Sequence, residues 1–118
     1  MSYQIPYLQL DTSDVNLAEV LTLCEGTFIK GRVVNAFETA FSSTLGIQHC
    51  ITTGSGTDAL FIALKCMGVG PGDEVITPAL SWISSAETIS LCHATPVFAD
   101  VTSDSYTLDS DCLEALIT

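Results

Sequence analysis

An α/β fold with a mostly parallel sheet flanked by helices is what this 118-residue sequence predicts. Three observations carry that expectation. Short apolar runs alternate with helical patterns in the order strand, helix, strand, helix, strand, the signature of parallel β-α-β units. The short runs are apolar on both faces, as when helices cover both sides of a sheet. Hydrophobic residues make up 47% of the chain and charged ones only 14%, which is enough apolar material for a packed core and argues against disorder.

The elements follow in order. Residues 14–25, DVNLAEVLTLCE, carry apolar side chains at helical spacing, with Asp14 placed to cap the start. The loop GTFIKG lies between Gly26 and Gly31, and a second helix is expected over 33–45, VVNAFETAFSSTL, stopped by Gly46. A short β-like run, His49 to Thr53, leads into the turn TTGSGTDAL at 52–60 and a helix from about 57 to 67. GVGPGDE is a strong turn signal. Glu74-Val-Ile-Thr77 then forms a strand ended by Pro78, SWISSAETISLCHA a helix, and Thr95 to Asp100 another strand. The last ten residues, DSDCLEALIT, begin a further helix.

Charge and cysteine usage narrow the function classes. There are 14 acidic residues against 3 basic ones, a net charge of −11, which disfavours nucleic acid or an anionic membrane as partner. The same acidity also serves solubility alone. No apolar run approaches the ~18–20 residues needed to cross a bilayer, and the start, MSYQIPYLQLD, lacks a basic region followed by an apolar one. A cytoplasmic protein is therefore expected. Five cysteines, at 24, 50, 66, 92 and 112, include no C-x-x-C pair and fit reduced, buried thiols. His49 and His93 stand apart from any cluster of metal ligands.

The turn at 52–60 is the richest motif. Ligands of parallel α/β sheets collect beyond the carboxyl ends of the strands. A helix start there offers unpaired amides and partial positive charge. Glycines allow close approach and Ser55 and Thr57 add hydroxyls, a combination suited to a phosphate. The same residues suit a plain capped helix start, with Ser55 or Thr57 as cap. Gly54-Ser-Gly-Thr-Asp-Ala59 also matches the dinucleotide pattern G-x-G-x-x-A. Its acidic candidates, Asp73 and Glu74, precede their strand and so fall on the wrong edge of the sheet. Trp82, the only tryptophan, follows the 74–77 strand on the same edge as the turn and could stack on a planar ring or serve as half-buried core. Asp100 shares that edge and suits a turn or cap.

Taken together, these segments resemble the DegT/DnrJ/EryC1/StrS family of sugar aminotransferases, which use pyridoxal 5′-phosphate. The combination of FE, SGTDAL, GPGDEVITP, SW and PVFADV carries the resemblance from about residue 5 to the end. It implies the aspartate-aminotransferase-like fold, fold type I. Residues of about 1–30 would be a leading arm and helix, and about 31–118 the start of the large cofactor-binding domain. The family's small-Gly-Thr turn holds the cofactor phosphate, which points to Gly56 and Thr57 with Ser55 beside them. Asp58 continues the motif as a weaker contact. The aromatic residue after the second strand stacks on the pyridine ring, which points to Trp82. The implied reaction moves an amino group, typically from glutamate, to a keto group on a nucleotide-linked sugar, for surface polysaccharide, lipopolysaccharide or a glycosylated metabolite. Family members are usually homodimers.

The chemistry needs a lysine that forms the Schiff base and an acidic partner for the pyridine nitrogen. Both lie downstream of the matched segments in this family. The chain's lysines, Lys30 and Lys65, fall at neither position, and Asp100 precedes the family's acidic partner. The chain thus resembles roughly the first third of a family member and is expected to be inactive alone. Because later strands separate the first two in the family's sheet, an isolated chain is also expected to be unstable or dependent on a partner. Two alternatives remain open: a non-catalytic relative that binds a phosphate ligand or a homologous subunit, and a nucleotide-binding module built on GSGTDA.

Overall fold

A computed structural model describes Ser13, residues 16–23 and residues 31–118. The expected cap at Asp14 and the GTFIKG loop up to Lys30 lie outside the described residues. The chain divides into two compact units, residues 1–51 and 52–118.

In the first unit, α1 covers Leu17–Leu23 and α2 covers Arg32–Leu45. The side chain of Asn16 accepts the Glu19 amide at 3.3 Å, as an N-terminal capping residue does. α2 repeats apolar residues every fourth position, Val33, Phe37, Phe41 and Leu45, so they share one face. Phe37 and Phe41 stack with ring centroids 5.5 Å apart. The helix stops where glycine permits it: Gly46 takes a left-handed conformation (φ 66°), its amide bonds to Ser43 O and that of Ile47 to Ser42 O. Residues 49–53, expected as a strand, form none. Their β-prone side chains suit one, but a strand exists only through a ladder, and no described strand pairs with them.

The second unit carries the α/β pattern. Its order is α3 (Gly56–Cys66), β1 (Glu74–Pro78), α4 (Ser84–Leu91) and β2 (Thr95–Ala99). β1 and β2 pair in parallel, from Glu74 against Thr95 to Pro78 against Ala99. Pro78, lacking an amide proton, is tolerated as the final residue of its strand. The ladder continues one step through Ala79 N to Ala99 O at 2.8 Å. α4 connects the two strands and packs on both, and α3 packs on α4. Parallel strands need such a crossover, because a tight turn cannot reverse the chain far enough to realign them.

The core is small and lies under α4. Ile89, Cys92, Ala94 and Ala99 are its buried apolar residues, joined by Thr77, Ser84 and Thr88. Burying hydroxyls is costly unless they are bonded. Thr88 meets the requirement by donating to Ser84 O at 2.8 Å.

α3 and α4 end as α2 does. Gly68 (φ 83°) follows α3, with Val69 N bonded to Leu64 O and Gly68 N to Lys65 O. After α4 the same left-handed position is held by His93 (φ 63°), with Ala94 N on Ile89 O and His93 N on Ser90 O. The expected 81–94 helix is therefore shorter at both ends. Trp82 and Ile83 form its lead-in turn, and His93 terminates it. The expected helix in the last ten residues is replaced by two single 3-10 turns, Ser110–Cys112 and Glu114–Leu116. Each closes with an i to i+3 bond, Leu113 N to Ser110 O and Leu116 N to Leu113 O. So short a segment does not recover the cost of nucleating a full helix.

Candidate functional site

The amino ends of α3 and α4 meet at a groove of about 330 Å³, lined by Gly56, Thr57, Leu60, Trp82, Ser84 and Ser85. Local sequence explains each wall. Ser55 adopts an extended conformation and its side chain accepts the Asp58 amide at 3.0 Å, which starts α3 at Gly56. Thr53 tightens the approach by donating its hydroxyl to Ser55 O at 2.8 Å. Asp58 turns back over the chain, such that a Cβ at position 54 would lie 2.9 Å from its Oδ2. Glycine at 54 leaves that space for the carboxylate.

The donors at the helix start divide into used and unused. The Asp58 amide is taken by Ser55 Oγ and the Ala59 amide by Ser55 O. Among the described residues, the amides of Gly56 and Thr57 donate to no protein acceptor. They sit at the positive end of an 11-residue helix. The Thr57 hydroxyl lies 2.7 Å from the hydroxyl of Ser84, the first residue of α4. On the other side of the groove stands Trp82, 66% exposed. Its position follows from Pro78 ending β1 and the chain then passing through Ala79–Ser81 into the α4 lead-in.

Three of the five cofactor contacts that the resemblance points to thus line one groove: Gly56, Thr57 and Trp82. Ser55 does not line it; its hydroxyl is engaged as the helix cap, the plainer role. Asp58 faces Gly54. Asp100 accepts the Val101 amide at 2.8 Å, the conduct of a turn residue. Asp73 accepts the Gly70 amide with Oδ2 at 2.8 Å and lies before β1, at the opposite edge from the groove, so the dinucleotide pattern has no ribose acid where it needs one. Leu60, Ser84 and Ser85 were not legible as lining residues. Ser84 follows Thr57 by 27 positions, and only the packing of α4 on α3 brings the two together.

Other chemistry is sparse. Cys50, Cys66, Cys92 and Cys112 are free thiols, and Cys24 lies outside the described residues. No group of metal-ligating side chains occurs among the described residues. No described helix is long and apolar enough to cross a membrane.

Two free amides, one hydroxyl and a flat aromatic face along a single groove suit an anion carried on a planar ring. Residues 11–118 match the DegT/DnrJ/EryC1/StrS aminotransferase family. The chain belongs to that family. Its relatives include GDP-perosamine synthase of Caulobacter vibrioides, 46% identical over 101 residues, covering 84% of this chain and 27% of that protein. Another is the UDP-2-acetamido-2-deoxy-3-oxo-D-glucuronate aminotransferase of Pseudomonas aeruginosa, 42% identical over 108 residues, 92% of this chain and 30% of the relative. Among solved structures, the sugar aminotransferase Spr1654 of Streptococcus pneumoniae in its PLP form superposes with a TM-score of 0.85 at 33% identity, covering 98% of this chain and 30% of that one. The fold is therefore part of fold type I, the pyridoxal-phosphate aminotransferase architecture. The chain spans less than a third of the length of these DegT/DnrJ/EryC1/StrS relatives.

Proposed function

We propose that this chain supplies the phosphate-holding and ring-stacking wall of a pyridoxal-phosphate-dependent aminotransferase acting on a nucleotide-linked keto-sugar. The observation that carries the proposal is the groove itself, with the unpaired Gly56 and Thr57 amides at one end and the Trp82 indole along it. The amides and the Thr57 hydroxyl would hold the ester phosphate, and the α3 dipole would favour its charge. Ser55 contributes by fixing the first turn of α3 rather than by direct contact. Trp82 would cover one face of the pyridine ring and exclude water from it. The bound cofactor supplies an electron sink, through which an amino group moves from a donor such as glutamate to a keto carbon.

These 118 residues do not complete that machinery. Lys65 sits in the last turn of α3, eight residues and about 12 Å along the axis from Thr57. Lys65 is not among the residues that line the groove. Lys30 lies outside the described residues. On the family resemblance, the reacting lysine and the acid for the ring nitrogen are assigned to family segments not matched here, and the chain alone is assigned no turnover. Amino-sugar synthesis, the nucleotide sugar and glutamate as substrates, a homodimer and a cytoplasmic setting all belong to this proposal for the parent enzyme.

The test uses the single tryptophan. Titrating the 118-residue chain with pyridoxal 5′-phosphate should quench Trp82 fluorescence saturably, and inorganic phosphate should compete. A linear, non-saturating response would refute the site. Borohydride reduction of the same mixture should leave no single lysine specifically labelled; specific labelling of either Lys30 or Lys65 accompanied by turnover would refute the assigned inactivity.

A further inference from the structure

We infer that Ser84 is a positioning residue for the cofactor phosphate, acting through Thr57. The inference rests on the cofactor site proposed above and deepens it. Thr57 Oγ1 and Ser84 Oγ lie 2.7 Å apart, and either atom could donate. The two residues come from different elements, the first turn of α3 and the first residue of α4. Both residues line the groove, Ser84 at 6% exposure and Thr57 half-buried beside Gly56. Ser84 is therefore the inner member of the pair and Thr57 the outer one.

A hydroxyl has one proton to donate and two lone pairs that accept. Without a ligand the pair has two arrangements. If Thr57 donates to Ser84, it presents only lone pairs to the groove, which repel an anion. If Ser84 donates to Thr57, the Thr57 proton is free for an outside acceptor. A phosphate ester at neutral pH carries mostly acceptor oxygens. It therefore selects the second arrangement, a relay running from Ser84 to Thr57 to phosphate. Aligned hydrogen bonds polarise one another, so the inner donor strengthens the outer contact. The pair also fixes the Thr57 rotamer, because Ser84 is itself held by the start of α4, where its carbonyl accepts the Thr88 hydroxyl at 2.8 Å.

The consequence is a loss confined to phosphate-bearing ligands. Trp82 fluorescence is titrated with pyridoxal 5′-phosphate and with pyridoxal, which has the ring but no phosphate. The full chain is used in trimethylamine N-oxide, which favours the compact state. Far-UV circular dichroism checks each variant. Ser84→Ala should weaken pyridoxal 5′-phosphate about 2- to 10-fold, the range for one net hydrogen bond, and leave pyridoxal unchanged. Ser84→Thr, which retains the hydroxyl, should restore most of the affinity. In a Thr57→Val background, Ser84→Ala should have no further effect on affinity.

Wild-type binding with an unaltered Ser84→Ala would overturn the inference and leave the cofactor site standing. Equal losses for both ligands would make Ser84 merely structural, and a Ser84→Ala loss that persists beside Thr57→Val would mean that it does not act through Thr57; either would overturn the inference. No saturable effect of pyridoxal 5′-phosphate on the wild-type chain would remove the cofactor site and the inference with it.

Discussion

Trp82 and Gly54 show how single residues divide the work of the groove. The indole is exposed, and in the proposed site it would meet the cofactor through its face, so its contribution would belong to the ring and not to the phosphate. Trp82→Ala should weaken pyridoxal and pyridoxal 5′-phosphate alike by roughly 3- to 10-fold, the worth of one aromatic pair; equilibrium dialysis measures this once the fluorophore is gone. That pattern is the reverse of the one expected for Ser84. At Gly54, an added methyl would meet only the far end of the Asp58 side chain. Gly54→Ala should therefore change pyridoxal 5′-phosphate affinity by no more than about twofold, as for other mild surface substitutions. A dinucleotide site built on GSGTDA would instead lose its ligand, since the backbone there must approach a pyrophosphate. At this scale the sequence was partly legible. Glycine, threonine and tryptophan advertise their chemistry through type and order. The Thr57–Ser84 pair does not, because serines in a helix start read as ordinary caps until α4 is laid against α3.

The helices share one way of stopping, and one of them departs from the usual residue. α2 and α3 close on Gly46 and Gly68, both left-handed, while α4 closes on His93 in the same conformation. A left-handed non-glycine costs roughly 1–2 kcal/mol, and glycine's freer unfolded chain gives back roughly half of that. His93→Gly should therefore stabilise the 52–118 unit by about 0.5–1 kcal/mol, seen as a higher urea midpoint with an unchanged slope. A lower midpoint would mean that the His93 side chain contributes more than its backbone costs. Legibility at this scale followed locality. α2, α3, β1 and β2 were readable to within a residue or two, because periodicity, glycine stops and Pro78 are written in adjacent positions. The 49–53 strand was not, because a strand depends on a neighbour elsewhere in the chain. The closing helix was not, because a helical pattern over so few residues cannot outweigh nucleation.

As a whole, each unit leaves apolar surface open. In 1–51, Phe37, Phe41 and Leu45 are exposed along α2. In 52–118, Leu60, Leu80, Ile83 and Phe98 are exposed around a sheet of only two strands. Parallel sheets are ordinarily covered on both faces and extended at both edges. The chain should accordingly bind the dye ANS strongly and self-associate as its concentration rises, measured by fluorescence and light scattering. A chain that stays monomeric as its concentration rises and binds no dye would contradict this. The fold class was legible from the alternation of elements alone. The extent of uncovered surface was not, since hydropathy marks which faces are apolar and says nothing of what lies on them.

Cys92 is fully sealed beneath α4 while Cys66 faces solvent. A thiol-specific alkylating reagent should consume Cys66 at the rate of a free peptide. It should reach Cys92 only during the moments when α4 lifts from the two strands. The ratio of the two labelling rates, followed by mass spectrometry, then times how often this unit opens, and a cofactor bound across α3 and α4 should lengthen that interval.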